Sequence, residues 1–277
     1  MRLRSLLFVP GDRPDRFEKA AASGADALIV DLEDSVAPEA KPAARLAVAD
    51  WLNARPEIPV FVRINPLDSA FVRGDLDAIL PHHPHGIVLP KAEGAADIVR
   101  LDALLGGAAL PILPIATETP AAVFELGSFR TVGPRLAGLT WGAEDLPAAI
   151  GASRAREDDG GYTDPYRMVR SLALFAAHAA GVPAIETVYP DIRDEAGLAA
   201  YAARGRRDGF TGMMALHPAQ VPIINAGFAP MPEEIAHARA VVEAFAANPG
   251  VGVLQVNGRM VDRPHLESAK DILARQT

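Results

Sequence analysis

Eight short apolar runs recur along this chain of 277 residues, and each is followed by a helical-looking segment. They are "LRSLLFVP" (3–10), "ALIVDLE" (27–33), "PVFVRIN" (59–65), "GIVLPK" (86–91), "PILPIATE" (111–118), "LAGLTWGAED" (136–145), "AIETVYP" (184–190) and "GMMALHP" (212–218). Most are apolar throughout instead of alternating, the pattern of parallel strands covered on both faces. Between them lie Ala-rich amphipathic stretches such as "RPDRFEKAAASG" and "DPYRMVRSLALFAAHAAG", the second closed by Gly181 as a helix cap and followed by Pro183. Eight β–α units in roughly 200 residues is the count of a (β/α)8 TIM barrel, although a doubly wound sheet shares part of the pattern. The expected organisation is a barrel domain over 1–226 and an extension over 227–277. In that extension a helix over about 232–247 leads to a hairpin around Asn257 and Gly258, and a last helix follows.

Composition narrows the function. A formal net charge of -8 supplies no broad basic surface, so nucleic acid is not an expected partner and any anionic ligand must be held by local arginines. The absence of cysteine excludes a disulfide framework, a thiolate metal site and a catalytic thiol. The apolar run Leu6 to Val9 is cut by Pro10 and is too short for a signal-peptide core, and nothing reaches the roughly 18 apolar residues of a membrane helix. A cytoplasmic protein without membrane partners is the expectation.

The polar residues strengthen the barrel reading. Asp31, Glu33, Arg63, Lys91, Glu118, Asp145 and His217 all fall at the C-terminal ends of their runs, the ends that converge on one face of a barrel and form its active site. "LIVDLEDSV" adds Asp34 to Asp31 and Glu33, and so much like charge needs a cation, hydrogen bonds or water to offset it. Glu118 and either Glu144 or Asp145, on adjacent strands, come within reach of one ion, and hard oxygen donors suit magnesium or manganese better than zinc. These acids could instead cap helices or pair with arginines. Arg63 could pair with Asp31 or Glu33, clamp a substrate carboxylate bidentately, or do both. Lys91 is a Schiff-base candidate that neighbouring acids would keep protonated. His217 is the histidine best placed for chemistry, with backbone hydrogen bonding at the strand end as its alternative. His82, His83 and His85 look like a surface loop without metal-site spacing.

Taken in order, "RSLLFVPGDRPDRFEKA", "DLEDSV", "VRINP", "LPKAE", "TET", "WGAEDL", "ALHPAQ" and "GRMVDRPHL" span nearly the whole chain, which in these motifs resembles the citrate lyase beta-subunit-like family within the malyl-CoA lyase and HpcH/HpaI aldolase superfamily. The resemblance implies a magnesium site, thioester substrates on coenzyme A or an acyl carrier protein, and assembly into trimers or hexamers. Carried onto this sequence, Glu118 and Asp145 become metal ligands. Arg63 binds the carboxylate of a 2-oxo acid, helped by the backbone N–H groups of Gly142 and Ala143. Asp31, Glu33 and Asp34 form an outer shell around metal waters and Arg63. Asp262 corresponds to a tail aspartate that reaches a neighbouring subunit's site and handles a proton at the thioester alpha carbon. Arg13, Arg16 and Lys19 are expected to contact the carrier's phosphates. Two positions depart from the family: Met213 stands where lysine is frequent and Glu186 where aspartate is usual, which bears on phosphate contacts and fine specificity.

The implied chemistry is reversible cleavage of a 3-hydroxy-3-carboxyacyl thioester of citramalyl, malyl or citryl type, giving a 2-oxo acid and a shorter acyl thioester. Two other readings stand beside it. One is a subunit acting on a carrier-protein thioester inside a citrate lyase complex. The other is a coenzyme A-independent HpcH-type aldolase, against which the tail aspartate argues.

Overall fold

The computed structural model describes residues 1–158 and 160–274. They form two compact units, Leu3–Gly227 and the segment from Phe228 onward.

In the first unit, eight strands alternate with helices. The strands are β1 (Ser5–Pro10), β2 (Ala27–Asp31), β3 (Val60–Arg63), β4 (Gly86–Leu89), β5 (Ile112–Pro114), β6 (Leu139–Thr140), β7 (Ala184–Glu186) and β8 (Gly212–Ala215). The helices that follow them in turn are α1 (Phe17–Ala21), α2 (Lys41–Asn53), α3 (Val72–Ile79), α4 (Ala95–Leu105), α5 (Pro120–Glu125), α6 (Leu146–Ile150) with α7 (Asp164–Ala179), α8 (Glu195–Asp208) and α9 (Gln220–Phe228). The strand order is β5-β4-β3-β2-β1-β8-β7-β6, and every ladder is parallel. Isolated parallel bridges, Ile112 to Leu136 and Ile115 to Thr140, join β5 to β6. This is a (β/α)8 TIM barrel. β5 and β6 are shorter than their apolar runs suggest, because at this seam the barrel is joined by single bridges and not by a continuous ladder.

The barrel interior follows from the period of two along each strand. Leu6, Ala27, Ile29, Phe61, Val88, Leu113, Ile185 and Met214 pack together inside it, all nearly or wholly out of water. Gly86 makes room for this packing, since a Cβ there would meet the Phe61 ring at 2.3 Å. Extending the alternation by two residues carries β2 from Ile29 to Asp31 and β3 from Phe61 to Arg63. Asp31 and Arg63 are direct cross-strand partners, so both polar groups emerge on the inner side at the C-terminal rim.

The second unit contains α10 (Pro232–Ala247), the antiparallel hairpin of β9 (Val253–Val256) and β10 (Arg259–Asp262), and α11 (Arg263–Ala274). Asn257 and Gly258, at φ of 50° and 78°, make the two-residue turn, where positive φ at both positions suits the strand twist. Ala238, Val241, Val256, Val261 and Ala269 form its own small core.

Among the described residues, no helix is long and apolar enough to cross a membrane.

Candidate active site at the barrel rim

A cavity of about 780 Å³ opens at the C-terminal ends of the strands. Its apolar wall includes Phe8, Ile115 and Met214, and its polar groups include Asp31, Arg63, Glu118 and Asp145. Residues far apart in sequence meet there because parallel strands present their C-terminal ends to the same face.

Arg63 is the best-fixed group. Its Nε donates to Asp31 Oδ1 and its Nη2 to Asp31 Oδ2, both at 2.7 Å, and its guanidinium stacks over the Phe8 ring at 4.9 Å. Asp31 is 2% exposed and also accepts from the backbone N–H groups of Glu33 (2.9 Å) and Ser35 (3.0 Å). Burial pushes the Asp31 carboxyl up, but Arg63 outweighs it and holds the group below the usual carboxylate range. Glu33 Oε2 lies 3.0 Å from Arg63 Nη1, yet this buried oxygen has no hydrogen-bond donor among the described residues, so the contact is ionic. Arg63 therefore keeps N–H groups on both Nη atoms for a ligand while its carboxylate partners fix its plane.

Lys91 continues the network. Its Nζ donates to Glu33 Oε1 at 2.7 Å and lies 3.6 Å from Asp145 Oδ1. Burial opposes the ammonium charge, but the Glu33 hydrogen bond and the surrounding acids raise its pKa, so it stays charged, as expected of a lysine not free for Schiff-base chemistry. Asp31 and Glu33 are thus two acids set against two bases, Arg63 and Lys91. Among the described residues, Glu118 has only the Lys91 backbone N–H, and Asp145 only the longer contact to Lys91 Nζ.

Glu118 carries the consequence. It is 4% exposed, and burial, with the charges of Asp145 and Glu33, pushes its carboxyl up to about 8 against the stabilising backbone N–H of Lys91. Gly142 allows this approach of the β6 loop, since a Cβ there would lie 2.7 Å from Glu118 Cγ. A cation between Glu118 and Asp145 would relieve both carboxylates. The donors are oxygen only, and no three His, Cys, Asp or Glu side chains among the described residues group as a metal site. Two carboxylates completed by water and substrate oxygens is a donor set that fits magnesium.

The remaining expected site residues divide. Asp34, Glu144, Arg16, Lys19 and His217 line the cavity. Asp34 is exposed and has no contact with Arg63 within ion-pair distance, so only Asp31 and Glu33 of "DLED" grip the guanidinium. Arg13 is absent from the lining and is held by Asp15, with Nε and Nη2 at 2.9 and 2.8 Å from its two oxygens. Gly142 lines the cavity, and its N–H donates to Thr117 Oγ1 at 3.0 Å. Ala143 lines the cavity. His217 Nδ1 accepts from the Ala219 N–H at 3.2 Å, which leaves the ring proton on Nε2. Asp262 ends β10 in the second unit, where His265 Nδ1 lies 2.5 Å from its Oδ1 and holds the carboxyl below its ordinary value.

The two departures from the family pattern face away from the cavity. Glu186 is fully buried and accepts from Trp141 Nε1 (2.6 Å), Arg170 Nε (2.7 Å) and the Tyr201 hydroxyl (3.0 Å). It anchors Trp141, and through it the start of the "WGAED" loop. Met213 lies in register with Glu186 and is fully buried, whereas Met214 faces the cavity. Sequence reading missed Lys41, whose buried Nζ donates to the carbonyls of Leu32 and Glu33, both at 2.8 Å, and so shapes the acidic loop. It also missed the role of Gln220, 1% exposed, which accepts from the Leu216 N–H and donates to the Tyr189 carbonyl, each at 2.8 Å.

Comparison with known proteins agrees with this geometry. Residues 4–218 match the family described as HpcH/HpaI aldolase/citrate lyase. The chain is 39% identical over 269 residues to a citrate lyase subunit beta-like protein of Mycobacterium tuberculosis, covering 97% of this chain and 94% of that one. It is 36% identical over 277 residues to a (3S)-malyl-CoA thioesterase of Cereibacter sphaeroides, covering 98% and 94%. The crystal structure of CitE from M. tuberculosis in complex with magnesium, acetoacetate and coenzyme A superposes with a TM-score of 0.84 at 38% identity, covering 99% of this chain and 97% of that one. The chain belongs to the HpcH/HpaI aldolase/citrate lyase family and is an enzyme of the carbon–carbon lyase type.

Proposed function

We propose that the chain cleaves a 3-hydroxy-3-carboxyacyl thioester of coenzyme A, of malyl, citramalyl or citryl type, to a 2-oxo acid and a shorter acyl-CoA, with magnesium as cofactor. The observation that carries this reading is a guanidinium fixed by Asp31 and the carboxylates of Glu118 and Asp145, all facing one cavity. A 2-oxo acid or 3-hydroxy acid offers the complement, a carboxylate for Arg63 beside a second oxygen near Glu118 and Asp145. A related CitE binds magnesium, acetoacetate and coenzyme A together, which supports the same ligand classes here.

Glu118 and Asp145 would hold the ion, with manganese as a substitute. Bound magnesium supplies Lewis-acid polarisation of the hydroxyl and carboxylate oxygens. Arg63 would bind and orient the carboxylate next to C3. As the bond between C2 and C3 breaks, the hydroxyl proton passes to solvent water at the open face of the cavity, the electron pair of the bond passes to C2 as a thioester enolate, and C3 becomes the carbonyl of the 2-oxo acid. Asp262, supplied by a neighbouring subunit of a trimer or hexamer, would take the C2 proton as a carboxylate in the condensing direction; in cleavage it would first gain a proton from solvent and then give it to the enolate carbon. Arg16 and Lys19, which line the cavity, would contact the phosphates of coenzyme A, and His217 the polar part of the acyl chain.

Calorimetric titration with magnesium tests the cation seat. Glu118→Ala and Asp145→Ala should each keep the fold and weaken magnesium binding by about tenfold or more, with loss of magnesium-dependent turnover. Unchanged affinity in both variants would refute the assignment.

A further inference from the structure

Lys91 follows Pro90 at the end of β4 with φ of 51°, left-handed backbone that is uncommon for a residue with a long side chain. This conformation serves two contacts at once. The backbone N–H is directed at Glu118 Oε2, while the side chain turns the other way to Glu33 and Asp145. Glu33 in turn lies against Arg63. One residue therefore touches both carboxylates of the cation seat and, through Glu33, the guanidinium that receives the organic acid. Lys91 itself is not among the residues that line the cavity.

We propose that Lys91 is a positioning residue, a fixed counter-cation that weakens magnesium binding and strengthens 2-oxo acid binding relative to what the acids alone would give. The inference rests on the reading of Glu118 and Asp145 as the cation seat. An ammonium has three donors and no acceptor, so toward a dication held by Asp145 it is purely repulsive. Replacing it by a neutral side chain removes the ammonium 3.6 Å from Asp145 and leaves that carboxylate and Glu118 to the dication, which gains from both. The same replacement frees Glu33 Oε1, so this carboxylate turns wholly onto Arg63 and competes with an incoming carboxylate for the remaining N–H groups. The two affinities then move in opposite directions. A merely structural lysine gives a different signature, because collapse of the rim would weaken both ligands together.

The experiment compares wild type with Lys91→Asn, Lys91→Gly and Lys91→Arg. Asn and Gly both tolerate the left-handed backbone and keep the N–H that serves Glu118, so two independent neutral variants are available. Magnesium chloride alone is titrated by calorimetry, and pyruvate is then titrated at saturating magnesium. The neutral variants should bind magnesium about tenfold tighter and pyruvate about tenfold weaker, while Lys91→Arg stays within about threefold of wild type for magnesium. Magnesium affinity that is unchanged or lower in a neutral variant with wild-type circular dichroism would overturn the inference, as would a parallel loss of both ligands. Wild type that binds no magnesium would instead remove the cation seat itself, and this inference with it.

Discussion

At the residue scale the decisive geometry is that of Arg63. A guanidinium at the end of a buried strand is stable only when its charge is matched, and Asp31 matches it through two parallel hydrogen bonds in cross-strand register. The pair was legible as a set of alternatives, structural partner or substrate clamp; the structure shows the partnership with Asp31, and the N–H groups left on the Nη atoms are those the proposed clamp would use. Lysine cannot reproduce this, because a single ammonium cannot satisfy Asp31 and an incoming carboxylate in one plane. Arg63→Lys should therefore lower kcat/KM by about a hundredfold or more, with a raised KM for the organic acid and little change in magnesium affinity. Steady-state kinetics on the purified variant checks this, and near-normal values would make Arg63 a structural residue. Lys91 was legible as a residue surrounded by acid but not as one that links Glu33 to Asp145, since those contacts depend on a backbone angle that no local sequence pattern announces.

At the element scale the strands were readable because parallel strands covered on both faces must be apolar throughout, and each of the eight runs contains one. Their polar ends were readable for the same reason: a charged residue that interrupts such a run either lies at the rim or needs a buried partner, as Glu186 has in Arg170. The lengths of β5 and β6 were not, because the pairing at that seam depends on how the whole cylinder closes. The supports of the loops were also hidden. Lys41 sits within α2 and reads as an ordinary solvated lysine, yet it holds the acidic loop through two carbonyls. Glu186, noted in the sequence only as standing where aspartate is usual, is the buried anchor of Trp141, because its position along β7 points it at α7 and α8, where Arg170 and Tyr201 meet it. The bond from the Gly142 N–H to Thr117, on the preceding strand end, was hidden for the same reason.

At the scale of the whole molecule, a barrel that holds the cavity and a separate small unit that holds Asp262 raise the question of which chain completes which site. In the proposed assembly the tail of one subunit serves the barrel of the next, so mixing Asp262→Asn with Arg63→Ala should recover part of the activity once subunits exchange, because some sites then combine an intact Arg63 with an intact Asp262 from another chain. Exchange verified by mass without any recovery would place the aspartate's action within its own chain or remove its role. The proposed reaction breaks a carbon–carbon bond and leaves a thioester intact. The most direct measurement incubates the purified chain with magnesium and malyl-, citramalyl- and citryl-CoA in turn, and follows 2-oxo acid, acyl-CoA and free thiol together. The predicted result is magnesium-dependent, equimolar release of a 2-oxo acid and a shorter acyl-CoA from at least one of the three, without free thiol; free coenzyme A without 2-oxo acid, or turnover only of carrier-protein thioesters, would contradict it.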